Sequence, residues 1–157
     1  YGVLLMIGAA TGGNDVTRPL HKLALSTGTG SAQAAHLPFK RIKSVADLQR
    51  EVQQASSQGK PVMLDFYADW CTYCKDYERS VFPDPAVQQA LSNVVLLQAD
   101  VTANDETDKA LLKHLSIPAP PAILFFDHTT GQEKRGYRLV GLKKADEFRA
   151  HVEKAIQ

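Results

Sequence analysis

Cysteine is scarce in this 157-residue chain: Cys71 and Cys74 are its only two. Two thiolates cannot build the four-cysteine zinc site of a finger or ribbon. The five histidines (His21, His36, His114, His128, His151) are scattered, and none lies beside the pair. Lys75, not histidine, follows Cys74, which excludes the c-type haem attachment pattern. Charge of one sign is also lacking. The formal net charge is +1, and the densest basic runs are Arg41-Ile42-Lys43 and Lys143-Lys144. Such runs belong to a solvated surface and set up no field that would draw nucleic acid or an anionic membrane. Long apolar runs are missing too. The apolar stretch 1–10 is half of the roughly 20 residues that a membrane helix needs. Neither an initiator methionine nor a basic segment precedes it, which argues against a complete signal peptide. The chain is therefore expected to be a piece of something longer, in which residues 1–10 end a membrane helix or pack as an apolar tail.

What is present fits one folded domain and a tail. An apolar fraction of 44% and a charged fraction of 22% are ordinary for a globular chain. Residues 11–37 are rich in Gly, Ser, Thr and Ala, with Gly12-Gly13 and Gly28-Thr29-Gly30, and hold no period of 2 or 3.6. They are expected to be a linker, so that the domain runs from 38 to 157.

From residue 39 the hydrophobic periods alternate. Residues 39–42 suit a short strand. Ser44 suits an N-cap with Asp47 in the first turn, and Val45, Leu48, Val52 and Ala55 recur at helical spacing. A turn at 58–60 leads to a buried strand at 62–67. A helix is expected from Cys71 through Arg79 or Val81. Asp84 and Pro85 suit the N-cap and first position of a further helix to about Leu91. A strand at 94–98, a helix from Asn104 or Asp105 to His114, and strands at 122–126 and 138–140 follow, the last two joined by a short turn. A helix at 145–156 closes the order. Alternation of this kind predicts an α/β fold, a central sheet with helices on both faces, and the last two strands add an antiparallel edge.

The two cysteines stand two residues apart where a strand gives way to a helix. A helix start offers unpaired N–H groups and the positive end of the dipole, which favour thiolate over thiol at Cys71. Cys-X-X-Cys pairs commonly have one thiol lowered into the range of about 3.5–7.5. The alternative is a structural disulfide, which would close a very short loop and stabilise little by chain entropy. Asp65 is the one acid in an apolar strand, costly to bury unless paired or protonated. It either satisfies a nearby polar group or takes part in chemistry. Glu78, four residues after Cys74, would share its helix face, or else pair at the surface with Lys75 or Arg79.

The segment Leu64-Asp-Phe-Tyr-Ala-Asp-Trp-Cys-Thr-Tyr-Cys-Lys75 resembles the active-site segment of the thioredoxin superfamily. Lys60-Pro-Val-Met-Leu-Asp65, the segment 97–105, Leu111-Leu-Lys-His-Leu115 and the apolar start are similar to one branch of it. That branch is the C-terminal periplasmic domains of the DsbD family of transmembrane thiol:disulfide interchange proteins. The resemblance implies a thioredoxin fold, a mixed sheet flanked by helices on both faces, and no metal or organic cofactor. It implies that Cys71 attacks and Cys74 resolves, that Asp65 exchanges protons with Cys74, and that Glu78 accompanies Asp65 and raises the Cys71 pKa. It places Trp70 over the site as a shield that touches partners, with core packing as the alternative. It makes Pro121 the cis-proline facing the cysteines. Here the chain departs from the family: Pro120 precedes Pro121 and Ala122 stands where threonine is common. Proline has no N–H, so Pro120 can accept from a docked chain but not donate.

The implied activity is protein-disulfide reduction in the bacterial periplasm, by a domain of an inner-membrane protein. Electrons would come from the membrane-embedded domain and pass to the N-terminal periplasmic domain of the same protein through transient mixed disulfides, the isolated domain being monomeric. The rivals are a stand-alone or anchored reductase serving another pathway, such as cytochrome c maturation, and a non-catalytic binding module with an inert disulfide.

Overall fold

The computed structural model describes residues 37–157. The expected membrane-helix end and linker lie outside the described residues, apart from Leu37. Among the described residues, no helix is long and apolar enough to cross a membrane.

The elements run β1 (Lys40–Ile42), α1 (Val45–Ser57), β2 (Val62–Tyr67), α2 (Thr72–Asp76), a π turn (Tyr77–Val81), α3 (Pro85–Ala90), β3 (Val95–Asp100), α4 (Glu106–His114), β4 (Ala122–Phe126), a 3-10 turn (Arg135–Tyr137), β5 (Leu139–Val140) and α5 (Ala145–Ala155). Their starts follow local chemistry. The Ser44 hydroxyl accepts from Asp47 N–H at 3.1 Å while Asp47 Oδ2 accepts from Ser44 N–H, a reciprocal cap for α1. Asp105 and Asp108 repeat that arrangement at α4. Asp84 caps α3, with Pro85 at its first position, as expected. Gly59, with φ +68°, supplies the left-handed residue that turns the chain from α1 into β2.

The sheet has the order β1-β3-β2-β4-β5. β1 and β2 run parallel to β3, and β4 runs antiparallel to both β2 and β5. All six residues of the central β2 are buried. Their alternation feeds two apolar layers. Val62, Leu64 and Phe66 belong to a cluster with Leu48 and Val52 of α1 and Leu111 of α4. Met63 belongs to the other, with Tyr77 and Val81 of the π turn, Val87 of α3 and Phe148 and Val152 of α5. Helices thus cover both faces, as the alternating pattern predicts.

Three details differ from expectation. The helix after Cys71 does not continue regularly to Arg79: it passes at Tyr77 into a π turn, in which Phe82 N–H reaches back to Tyr77 O at 2.8 Å. The wider turn lets Tyr77, Val81 and Phe82 all point into the second layer. β5 is one residue shorter than expected, because Arg138 caps the 3-10 turn and its N–H bonds Arg135 O at 3.3 Å. The antiparallel part begins with β4 beside the central strand, not only at the edge.

Candidate active site

The site forms at the C-terminal end of β2, where the chain must leave the sheet and start α2. The connecting residues are pinned from the turn that follows β3. Thr102 Oγ1 accepts from Asp69 N–H at 2.9 Å and in turn bonds Asp100. Thr102 O accepts from the Trp70 indole N–H at 3.4 Å, and the Tyr67 hydroxyl donates to Asp69 at 3.0 Å. Trp70 is therefore exposed and held by its N–H; it is not a core side chain.

Cys71 is the N-cap of α2, and its Sγ accepts from Cys74 N–H at 3.2 Å. This is the orphan N–H of a helix start, aimed at the first sulfur. Cys71 and Cys74 are joined in a disulfide, with Cα atoms 5.3 Å apart. Cys74 Sγ lies 3.6 Å from Phe66 O, a partner for its S–H once the bond opens. Cys71 itself is only 5% exposed. Cys71 still lines a shallow depression of about 500 Å³ with Trp70, Thr72, Tyr73, Pro120 and Pro121. The Pro120–Pro121 bond is cis.

Asp65 of β2 and Glu78 of the π turn interact electrostatically. Asp65 is buried and stands opposite Gln98 in the β2–β3 register. Gln98 Nε2 donates to Asp65 Oδ2 at 2.9 Å. Burial pushes the Asp65 carboxyl up to about 7; the Gln98 hydrogen bond pulls it down, and the Glu78 charge pushes it further up. Asp65 is thus both hydrogen-bonded and poised near neutrality. Glu78 falls in the π turn, so its expected helical alignment with Cys74 is altered. Nor is it the partner of Arg79, which pairs with Asp76 at 2.6 Å. Instead Glu78 lines a second depression, of about 260 Å³, with Arg41, Gln98 and Phe82. Among the described residues no cluster of His, Cys, Asp or Glu could hold a metal ion.

Gln98 escaped the sequence reading. Its signal was a lone polar residue in an apolar strand, but only the strand register shows that it meets Asp65. Tyr77 escaped as well, because nothing local marks a buried tyrosine.

A Cys-X-X-Cys disulfide at a helix start, with a cis-proline lining the same depression, on a sheet of this order, defines a thiol–disulfide oxidoreductase of the thioredoxin class. A thioredoxin-like family model matches residues 42–128. The C-terminal domain of DsbD from Neisseria meningitidis, solved in its oxidised form, superposes with a TM-score of 0.63 at 33% identity, over 74% of this chain and 99% of that one. The thiol:disulfide interchange protein DsbD of Ralstonia nicotianae is 43% identical over 99% of this chain, and that of Salmonella paratyphi A 54% identical over 86%. The chain belongs to the thioredoxin-like family and, within it, to the DsbD C-terminal domains. It spans about a quarter of the length of these curated relatives, 25% and 23%.

Proposed function

We propose that this domain relays electrons inside a longer inner-membrane protein, taking them from its membrane-embedded domain and passing them to its N-terminal periplasmic domain. The observation that supports this most is Cys71 in the lining of an open depression, its sulfur accepting a helix N–H and bonded to that of the buried Cys74. In the reduced domain Cys71 attacks one sulfur of the partner's disulfide. A Cys71–partner bond forms, the partner's S–S bond breaks, and the leaving partner thiolate takes a proton. Cys74 then gives its proton to Asp65 and attacks Cys71. The mixed disulfide breaks, the second partner sulfur leaves and is protonated, and the Cys71–Cys74 bond closes. Two electrons have passed to the partner. The second attack is intramolecular and so has a high effective concentration. The reverse steps reload the domain.

Asp65, whose carboxyl lies near neutrality, suits acceptance and return of that proton. The negative charge of Glu78 opposes thiolate formation nearby and limits reaction with stray disulfides. Trp70, Pro120 and Pro121 would meet the partner chain, with Pro120 accepting but not donating. Cytochrome c maturation lies downstream of such a relay as one use of its electrons.

The test is a trap. With Cys74→Ser in the full-length protein, mixed disulfides on Cys71 should accumulate and resolve by mass into the two other domains of the same chain. Accumulation on unrelated proteins alone would favour a reductase of another pathway. No adduct, together with no Cys71 thiolate after mild reduction, would leave an inert disulfide.

A further inference from the structure

Between β2 and α2 the chain turns sharply. Cys71 N–H bonds Ala68 O at 3.0 Å, so residues 68–71 form a turn with Asp69 and Trp70 at its corners. One residue holds both corners. Thr102 Oγ1 accepts from Asp69 N–H at 2.9 Å, and Thr102 O accepts from the Trp70 indole N–H at 3.4 Å. The second bond is long and so weak. Where the Trp70 ring stands therefore depends on how firmly the turn itself is held.

Thr102 is in turn fixed from three strands. Val101 N–H bonds Tyr67 O at 2.8 Å, which carries the β2–β3 pairing up to the residue before it. Asp100 Oδ1 accepts from Thr102 N–H at 2.9 Å and also bonds the Thr102 hydroxyl. Asp100 Oδ2 accepts from the Arg41 guanidinium of β1 at 2.9 Å. Burial pushes the Asp100 carboxyl up, but the bonds from Thr102 and Arg41 outweigh it and hold the group below its ordinary value. Asp100 is thus a carboxylate, which only accepts. The one hydroxyl proton of Thr102 goes to Asp100, and a lone pair is left for Asp69 N–H.

We infer that Thr102 is a positioning residue for protein partners: its hydroxyl holds the turn before Cys71, so that the exposed Trp70 ring stands in one place beside the cysteine. Trp70 is 57% exposed and lines the depression with Cys71, whereas Thr102 does not line it and acts through the ring. The inference rests on the reading that proteins dock at this depression. A ring placed in advance loses less freedom on docking. That favours protein disulfides, which cover the ring, over small aliphatic ones, which do not.

Thr102→Val keeps the shape and the carbonyl and removes the hydroxyl, and Thr102→Ser restores the hydroxyl. Trp70 is the only tryptophan of the chain, so tryptophan fluorescence reports on this ring alone. The 157-residue chain, reduced, is assayed with the oxidised N-terminal domain of a DsbD relative, with insulin and with a small aliphatic disulfide. Thr102→Val should raise KM for the protein disulfides that the wild-type chain reduces by roughly three- to tenfold. Their kcat, and the rate with the small disulfide, should stay within about twofold. The anisotropy decay of Trp70 should gain a fast component, on the order of nanoseconds, in Thr102→Val but not in Thr102→Ser. Thr102→Ser should bring KM back to within about twofold of the wild type. Trp70→Ala should raise the same KM, and its combination with Thr102→Val should fall short of additivity, as coupled neighbours do. An unchanged KM, an unchanged decay, an equal loss on all three oxidants, a serine variant as defective as the valine one, or full additivity would overturn the inference. Wild-type activity on insulin but not on the N-terminal domain would overturn the relay and leave Thr102 tested on insulin. Wild-type inactivity on both proteins would overturn the two together.

Discussion

Asp65 does more than any other residue outside the cysteines to set how this domain answers to pH. Its folded-state carboxyl sits at about 7, against 3.8 for the free group, chiefly because it is buried. The sign follows from linkage. Below pH 3.8 both folded and unfolded states hold the proton. Between about 4 and 7 the unfolded chain releases it and the folded chain keeps it, so stability falls as pH rises and levels off above 7. The rise corresponds to roughly 4 kcal/mol as an upper bound. Urea unfolding of the oxidised protein should therefore show lower stability at pH 8 than at pH 5. Asp65→Asn should flatten that slope, because the amide still accepts from Gln98 but does not titrate. A wild-type slope unchanged by Asp65→Asn would assign the pH dependence to other groups. Gln98→Leu acts in the opposite direction from Glu78→Gln. It removes the donor that favours the ionised form, so the apparent midpoint should move above 7, whereas Glu78→Gln should lower it. Proton release on unfolding, measured across pH 5 to 9, separates the two.

At the scale of elements, the helix caps decide where structure starts, and they can be tested without touching the site. α1 residues line neither depression beside the cysteines. Ser44→Ala removes half of a reciprocal cap and should cost about 1 kcal/mol in urea unfolding, with no change in thiol exchange rate. A change in that rate would mean that α1 reaches the redox pair. These caps are also what made the fold readable. Ser44, Asp84 and Asp105 each announce a helix by local hydrogen bonding, and the buried runs 62–67 and 122–126 announce strands by composition. The π turn at Tyr77–Val81 was not readable, since its extra residue answers to the shape of the layer it packs on and not to any local preference. For the same reason the cysteine pair and Asp65 stood out in the chain, while Gln98 did not. A polar residue in a buried strand declares itself, but its partner is fixed only by strand register. The short β5 shows a related limit, since the Arg138 N–H is spent on closing the preceding 3-10 turn, which no local pattern announced.

For the whole molecule, the redox pair and the fold are linked by one cycle. The difference in folding stability between the disulfide and dithiol forms equals the shift in reduction potential relative to the unfolded chain, at about 30 mV for each 1.4 kcal/mol. A domain that stabilises its reduced form becomes an oxidant, and one that stabilises its disulfide becomes a reductant. The structure holds influences of both signs. The Cys74 N–H aimed at Cys71 Sγ favours a thiolate. Against it stand the Glu78 charge, a buried Cys74 and an Asp65 that burial keeps near neutrality, all of which raise the cost of a second negative charge. The core itself does not depend on the bond, because the cysteines are three apart in sequence and are two small members of one apolar layer, the other layer containing neither. Both forms should therefore unfold cooperatively, with the oxidised form the more stable by roughly 1–3 kcal/mol, within what closing a short loop contributes. Urea unfolding with and without reductant measures that gap, and equilibration against a glutathione buffer measures the potential independently. Agreement between the two, with the disulfide form ahead, places the potential below that of the unfolded chain and widens the range of partners to which the domain can give electrons. A dithiol form that proves the more stable would place the potential above it and restrict donation to partners of still higher potential.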